Sequence, residues 1–349
     1  MLGTVSHRSP ARHPGVTIAC EDRGVPKPIV TVILPAKDAG AFIGTTLTTL
    51  ARQFDDPSRL RLVAIDDGSR DDTGAQMLHY GERFDHVQVI ANTDPVGLAA
   101  ARNQGIARVD TEYFCFVDGD DWMQPGRLEA LIDTMRDLEC DFVRIDHLAV
   151  TDAQRRHVRA PYPWRGVVSP ARNAILPAEE NSMVDYPYAW AGMFHRRVID
   201  EGLAEFPAGL HTAEDRPWIW RLHLSDATFA VVDAPAILYR RGVSTSLTQV
   251  FDRRQLDFVP ALAQAYELVD ADRDADLYRP KIVATILAIC SHHLFRARAM
   301  SAPHRAELRT GLRELLRPIP ASELDAALAR LSDRRRRLLA RTVREVRRA

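Results

Sequence analysis

Several short polar clusters in this 349-residue chain have the residue types and spacing for chemistry on a charged, oxygen-rich substrate. The most telling is Asp118-Gly-Asp-Asp-Trp122, which follows the apolar run Tyr113-Phe-Cys-Phe-Val117. A buried strand delivering three carboxylates at its C-terminal end makes a hard-oxygen site of the kind Mg²⁺ or Mn²⁺ prefers. Acids so close repel one another unless a cation compensates them. Three further clusters are Pro35-Ala-Lys-Asp38, Asp66-Asp-Gly-Ser69 and Gly97-Leu-Ala-Ala-Ala-Arg-Asn-Gln-Gly105. Downstream, Thr212-Ala-Glu-Asp-Arg-Pro-Trp218 adds the adjacent acids Glu214 and Asp215. A carboxylate suits general-base work when burial raises its pKa toward neutrality and it can reach a substrate hydroxyl. Both acids would also favour the dipole at a helix N-terminus.

The elements that must hold these residues follow from apolar patterning. Ile29-Val-Thr-Val-Ile-Leu34 reads as a fully buried strand stopped by Pro35, and Leu60-Arg-Leu-Val-Ala-Ile65 as the second strand. Val87 to Ile90 and Tyr113 to Val117 supply two more, with helices over Ala41–Gln53, between the second and third strands, and over Gly97–Arg108. Continuous apolar strands alternating with helices predict an α/β fold with a mostly parallel sheet flanked by helices. Right-handed crossovers would place every acidic strand end along one edge, where open α/β sheets bind ligands. Arg127–Glu139 reads as another helix and Phe142–Ile145 as a short strand. From Thr151 to Asn181 periodicity is lost, as in a segment lying over a site. From Gln255 onward the pattern is helical.

Composition narrows the class. Hydrophobic residues at 46% and charged residues at 27% suit a globular protein, and a net charge of −1 predicts no general attraction to nucleic acid. No apolar run reaches the ~18–20 residues a membrane span needs. Residues 1–27 read as a loose leader without a secretion-signal core, which predicts a cytoplasmic chain. Cys20, Cys115, Cys140 and Cys290 form no C-x-x-C pair, and Cys115 and Cys140 read as reduced core residues.

In order and spacing, these clusters closely resemble family 2 glycosyltransferases of the GT-A, Rossmann-like fold, over roughly residues 28 to 250. The resemblance implies a nucleotide-sugar half (28–122), an acceptor half (123–250) and a helical C-terminal region (251–349). It implies a nucleotide-sugar donor, with UDP the expected carrier and an N-acetylhexosamine the first expectation for the sugar. Asp67 matches the acid that accepts a hydrogen bond from the base. Pro35 and Asp38 match the loop framing base and ribose, with Lys37 where the family often has an aromatic. Arg102 and Asn103 match a helix-start pair near the nucleotide, although Arg102 could instead pair with Asp67 or Asp120 to hold loops together. Asp120 would face the ribose and, with Asp121, the metal, with Asp118 close to both; Mn²⁺ or Mg²⁺ is the implied cofactor. Glu214 and Asp215 match the family's Glu-Asp pair, whose second acid is the general base. Glu214 would then contact donor or acceptor hydroxyls.

In Tyr188-Ala-Trp-Ala-Gly-Met-Phe-His195, which resembles the acceptor-side segment, Trp190 would offer a face for sugar stacking or serve as plain core. Tyr239-Arg-Arg-Gly-Val-Ser-Thr-Ser246 puts Arg240, Arg241 and Ser244 on a loop suited to a diphosphate leaving group. The implied acceptor is a teichoic-acid-like polymer, a polysaccharide, a lipid-linked glycan or a small molecule.

Rival classes fit less well. The first strand is not followed by G-x-G-x-x-G, and no P-loop signature occurs. A sugar nucleotidyltransferase would not need Glu214-Asp215, and a non-catalytic glycan-binding module would not need Asp120, Asp121 and Asp215 together. At the far end, residues 332–349 carry eight arginines against Asp333 and Glu345, with Leu339, Val343 and Val346 at i, i+4, i+7. That pattern predicts a basic amphipathic helix, packing on its own domain or on a sister subunit, or lying peripherally on anionic membrane.

Overall fold

The computed structural model describes residues 26–152, 154–242 and 252–348, with the backbone of Ile18–Ala19. After a two-residue strand β1 (Ile18–Ala19), strands and helices alternate as expected. They are β2 (Val30–Ala36), α1 (Ile43–Leu50), β3 (Leu60–Asp66), α2 (Thr73–Gly81), β4 (His86–Ala91), α3 (Leu98–Ile106) and β5 (Tyr113–Phe116). The four longer strands pair in parallel in the order β4-β3-β2-β5, so their C-terminal ends share one edge. Every residue of β2 and β5 is buried, as strands covered on both faces must be.

Pro35 does not stop the first strand, which runs on to Ala36. The carbonyl of Ile33 accepts from Val117 N–H on the β5 side (3.0 Å), so residue 35 faces that side too. The β2–β5 pairing has already ended at Ile33 and Phe116, and proline's missing N–H has no partner to disappoint.

The second half adds β6 (Trp122–Met123), α4 (Arg127–Leu138), β7 (Phe142–Ile145), β8 (His147–Thr151), β9 (Gln154–Val158), β10 (Ser169–Pro170), β11 (Gly192–His195), α5 (Arg197–Asp200), α6 (Asp215–Leu224), β12 (Thr228–Val232) and β13 (Ile237–Arg240). Strand β11 enters antiparallel between β5 and β7, and β12 runs parallel to β7, which completes a mixed nine-stranded sheet. A second sheet, β6-β13-β8-β9, stands beside the acid turn. Strand β9 belongs to the stretch without periodicity. Its residues Gln-Arg-Arg-His are exposed, so no apolar alternation marks it.

From Phe258 onward the described chain is helical: α7 (Phe258–Asp270), α8 (Ala275–Arg296), α9 (Ala302–Leu316), α10 (Ala321–Ala329) and α11 (Asp333–Val346). The apolar stripe of α11 faces inward. Leu339 and Val343 are buried and Val346 packs on the same core, with α8 and α9 as neighbours. That side of the helix is already covered by its own domain, so it is not the surface that would meet a membrane. Cys115, Cys140 and Cys290 are buried and free. Among the described residues no helix is long and apolar enough to cross a membrane.

Candidate active site

The end of β5 delivers Asp118, and the acid turn then folds tightly over the end of β2. A Cβ on Gly119 would come within 2.6 Å of the Ala36 methyl, so glycine is needed there. Thr46 of α1 pins the turn, its hydroxyl donating to the carbonyls of Gly119 (3.0 Å) and Asp121 (2.6 Å). Asp121 is fully buried. Its Oδ1 accepts the backbone N–H of Arg240 at 2.8 Å, while its buried Oδ2 has no partner. Burial, then the charges of Asp120 and Asp118, pushes the Asp121 carboxyl well above the usual carboxylate range. Burial, then Asp118, pushes Asp120 up to about 6.

Arg102, buried on α3, joins the two halves of the site. One guanidinium nitrogen donates to Glu214 at 2.8 Å and another to Asp118 at 3.0 Å, and the group lies over Phe206 at 5.1 Å. Its partners are therefore neither Asp67 nor Asp120. Glu214 is raised to about 7, chiefly by burial, with Arg102 opposing and the neighbouring Asp215 adding to the rise. Burial also raises Asp215, against the pull of Arg216 and Arg102. Asp215 opens α6, is half-buried, and takes no hydrogen bond from another described residue. Just before the pair, Ala213 sits at φ 61°, a left-handed conformation that side chains other than glycine rarely hold without surrounding constraint.

The remaining loops lie along the same edge. Asp67 accepts from the backbone N–H groups of Val96 (2.7 Å) and Gly97 (2.9 Å) and from the Asn92 amide (3.0 Å). These use most of the roughly four acceptor positions of a carboxylate. Asp38, at φ 50°, accepts the Arg70 N–H at 2.7 Å, which leads in holding its carboxyl below the usual value. Its backbone N–H donates to Ser69 (3.0 Å), tying the Pro35–Asp38 and Asp66–Ser69 turns together.

Several expectations need correcting. Asn103 turns away from the acids: its amide donates to the Phe206 carbonyl (2.8 Å) and accepts the Phe206 N–H (2.9 Å). Consecutive helix residues point about 100° apart, so when Arg102 faces the acid turn Asn103 faces the Phe206 loop. Trp190 is 3% exposed, with Tyr188 and Tyr239 stacked on it at ring distances of 4.9 and 5.0 Å, so it is core and offers no open face. The Arg240 guanidinium lies between the rings of Phe42 (4.7 Å) and Trp122 (4.5 Å), and its Nε donates to the Asp120 carbonyl (3.1 Å). Arg241 is exposed, and Ser244 lies outside the described residues.

Residues that sequence reasoning passed over also shape the site. Thr46, Phe42 and Phe206 hold its acids and arginines through contacts that leave no pattern in the chain. Tyr239 is another: burial, then Asp121 and Asp118, raises its phenol, which places it beside the acid turn.

Whether the residues fit a divalent cation can be judged from the acids themselves. The orphaned Asp121 oxygen and the raised Asp120 are carboxylate oxygens in want of positive charge, and their chemistry suits Mg²⁺ or Mn²⁺. Among the described residues no three His, Cys, Asp or Glu side chains converge as a ready-made cage. Such a cation would need oxygens from a bound diphosphate, as is usual for Mg²⁺.

Comparison with known proteins agrees with this architecture. The uncharacterized glycosyltransferase EpsJ of Bacillus subtilis is 24% identical over 225 residues, 64% of this chain and 64% of EpsJ. The poly(ribitol-phosphate) β-N-acetylglucosaminyltransferase TarS of Staphylococcus aureus is 23% identical over 263 residues, 74% of this chain and 43% of TarS. The chain thus spans less than two thirds of the length of these relatives. A crystal structure of S. aureus TarS 1–349 in complex with UDP-GlcNAc superposes with a TM-score of 0.68 at 16% identity, covering 91% of this chain and 92% of that one, and so shares the fold. Residues 31–202, from β2 to just past β11, match glycosyl transferase family 2, so this segment of the chain carries that family's glycosyltransferase domain.

Proposed function

We propose that this protein is a metal-dependent inverting glycosyltransferase that moves a sugar from a UDP-linked donor, an N-acetylhexosamine as first candidate, to a hydroxyl of a cell-wall polymer or related glycan. The observation that carries the reading is the Arg102 bridge. It locks Asp118 of the acid turn to Glu214, the neighbour of an unengaged, raised-pKa carboxylate at Asp215. A leaving-group site and a base are thereby held at a fixed separation. The likeness to TarS, whose name gives N-acetylglucosamine transfer to poly(ribitol-phosphate) and which is seen with UDP-GlcNAc, supports the donor and acceptor classes.

Asp215 takes the proton of the acceptor hydroxyl, and that oxygen attacks the anomeric carbon from the face opposite the diphosphate. As the new C–O bond forms, the bond to the diphosphate breaks and its electron pair leaves on phosphate oxygen. Asp121 and Asp120 would hold the cation, which when bound supplies charge neutralisation of the departing diphosphate. The turns around Asp38 and Asp67 would hold nucleoside, and the Arg240–Arg241 segment would lie toward the phosphates. Glu214, clamped by Arg102, orients its neighbour and keeps an oxygen for substrate hydroxyls.

The test is Asp215→Asn. Transfer should fall by about 10²–10⁴-fold, as for a lost general base, while UDP-sugar affinity in the presence of Mn²⁺, read by calorimetry, stays within a few-fold of the parent. Near-parental transfer would remove Asp215 from the mechanism. If the parent binds UDP-sugar but never turns it over on any glycan acceptor, the protein is a binding module instead.

A further inference from the structure

Away from the strand ends, the junction of α8 and α9 forms an open surface cavity of about 380 Å³ lined by Leu294, Ala297, Arg298, Arg305, Leu308 and Arg309. Three arginines thus share one concavity. Arg305 and Arg309 are one turn apart on α9 and so face the same way. The Arg305 guanidinium is held in place by the Met300 carbonyl. Arg298 and Arg309 have neither a carboxylate nor any other hydrogen-bond partner among the described residues. Cations that close repel, and an arrangement of them with no acid between is stabilised by an anion.

The surroundings extend the same chemistry. Phe295, next in sequence to the lining Leu294, is 52% exposed, and the Arg334 guanidinium of α11 lies over its ring at 4.4 Å. Residues 291–349 hold fifteen arginines against six acids. On and just after α11, Arg336 pairs with Asp333, Arg341 with Glu345 and Arg347 with Asp325. The cavity is where unpaired guanidinium groups and an aliphatic wall meet.

We propose that this cavity is a phosphate-binding site for a phosphate ester bearing an apolar substituent, an anionic lipid headgroup at a membrane surface being the source it fits best. Guanidinium forks match phosphate oxygens in geometry and charge. Leu294, Ala297 and Leu308 supply the apolar flank that an aqueous inorganic ion would not use. The stripe of α11 takes no part, since it is buried against α8 and α9. The site would dock the enzyme where a lipid-linked substrate lies, without depending on which sugar is transferred.

The experiment uses the full chain and the variant Arg298→Gln/Arg309→Gln, whose altered side chains touch no protein partner. Arg155→Gln/Arg156→Gln, on exposed β9, removes the same charge elsewhere. Co-sedimentation is measured with phosphatidylglycerol-containing vesicles and with phosphatidylcholine vesicles, and thermal stability with and without inorganic phosphate. The parent and the β9 variant should bind the anionic vesicles alike. The cavity variant should bind about 25-fold more weakly, at roughly fivefold per arginine near an anionic surface. If phosphate raises the melting temperature of the parent but not of the cavity variant, and neither sediments with vesicles, the site stands and its source is a soluble phosphate. Equal behaviour of the parent and the cavity variant in both assays overturns the proposal.

Discussion

Asp118, Asp120, Asp121, Glu214 and Asp215 share a largely buried corner, with Arg102 as the buried counter-charge of Asp118 and Glu214, whereas the arginines beyond residue 290 are spread over helix surfaces that water reaches. The same crowding of like charge has different consequences in the two places. Buried carboxylates hold protons more tightly than usual, because desolvation and mutual repulsion are strong there. Solvated guanidinium groups more than about a Debye length apart are screened from one another, and repulsion persists only where several crowd together. Charge at the strand ends is therefore held against a cost, while charge on the solvated helices costs little.

Removing the buried counter-charge is the harshest way to break this contrast. Arg102→Met leaves Asp118 and Glu214 unpaired, and the fold should lose about 3–5 kcal/mol, read from urea unfolding. The loss should be larger near pH 8 than near pH 5, because Glu214 takes up a proton below its raised pKa and then needs no partner. An equal loss at both would mean that Arg102 acts through packing on Phe206 and not through charge.

A milder change sharpens the comparison from the other side. Asp120 binds its proton more tightly folded than unfolded, so its effect on stability is harmless below about pH 4 and unfavourable once pH rises past about 6. Asp120→Asn should therefore stabilise the metal-free protein by about 1–2 kcal/mol near pH 8, with the gain vanishing toward pH 4. Transfer activity should be lost in the same variant. A destabilised Asp120→Asn protein would show that the carboxylate is held by contacts and not against them. The smallest effect belongs to the solvated region. Arg336→Ala, which breaks an exposed pair with Asp333, should change stability by less than about 1 kcal/mol at low salt; more than twice that would place the arginines of α11 in the structural framework.

The acid turn and the parallel strands β3, β2 and β5 could be read from the chain because burial on both faces writes a largely apolar run, and each run ended in its polar cluster. Strands β9 and β13 could not be read the same way. The first is a solvated arginine strand, and the second gains its place by pairing with residues far away in sequence. Arg102 was visible as a candidate, but its partners were not, since Glu214 approaches it from the far end of the domain. Trp190 and Asn103 illustrate a further limit. Their residue types suit ligand contact and structural support equally, and only the neighbours Tyr188, Tyr239 and Phe206 decide between them.

The antiparallel insertion of β11 bears on the order in which the protein is made. Strand β5 has β2 on one side, but its other side is covered only when Phe194 pairs with Phe114. Until Gly192–His195 emerge during synthesis, the strand that carries the acid turn presents the apolar run Tyr113-Phe-Cys-Phe116 as a bare sheet edge, a template for pairing with another chain. The β2–β5 unit, regular in its alternation of strand and helix, is thus a fragment that needs its successor. The smallest piece of this protein with a closed sheet at its acid turn must reach past His195.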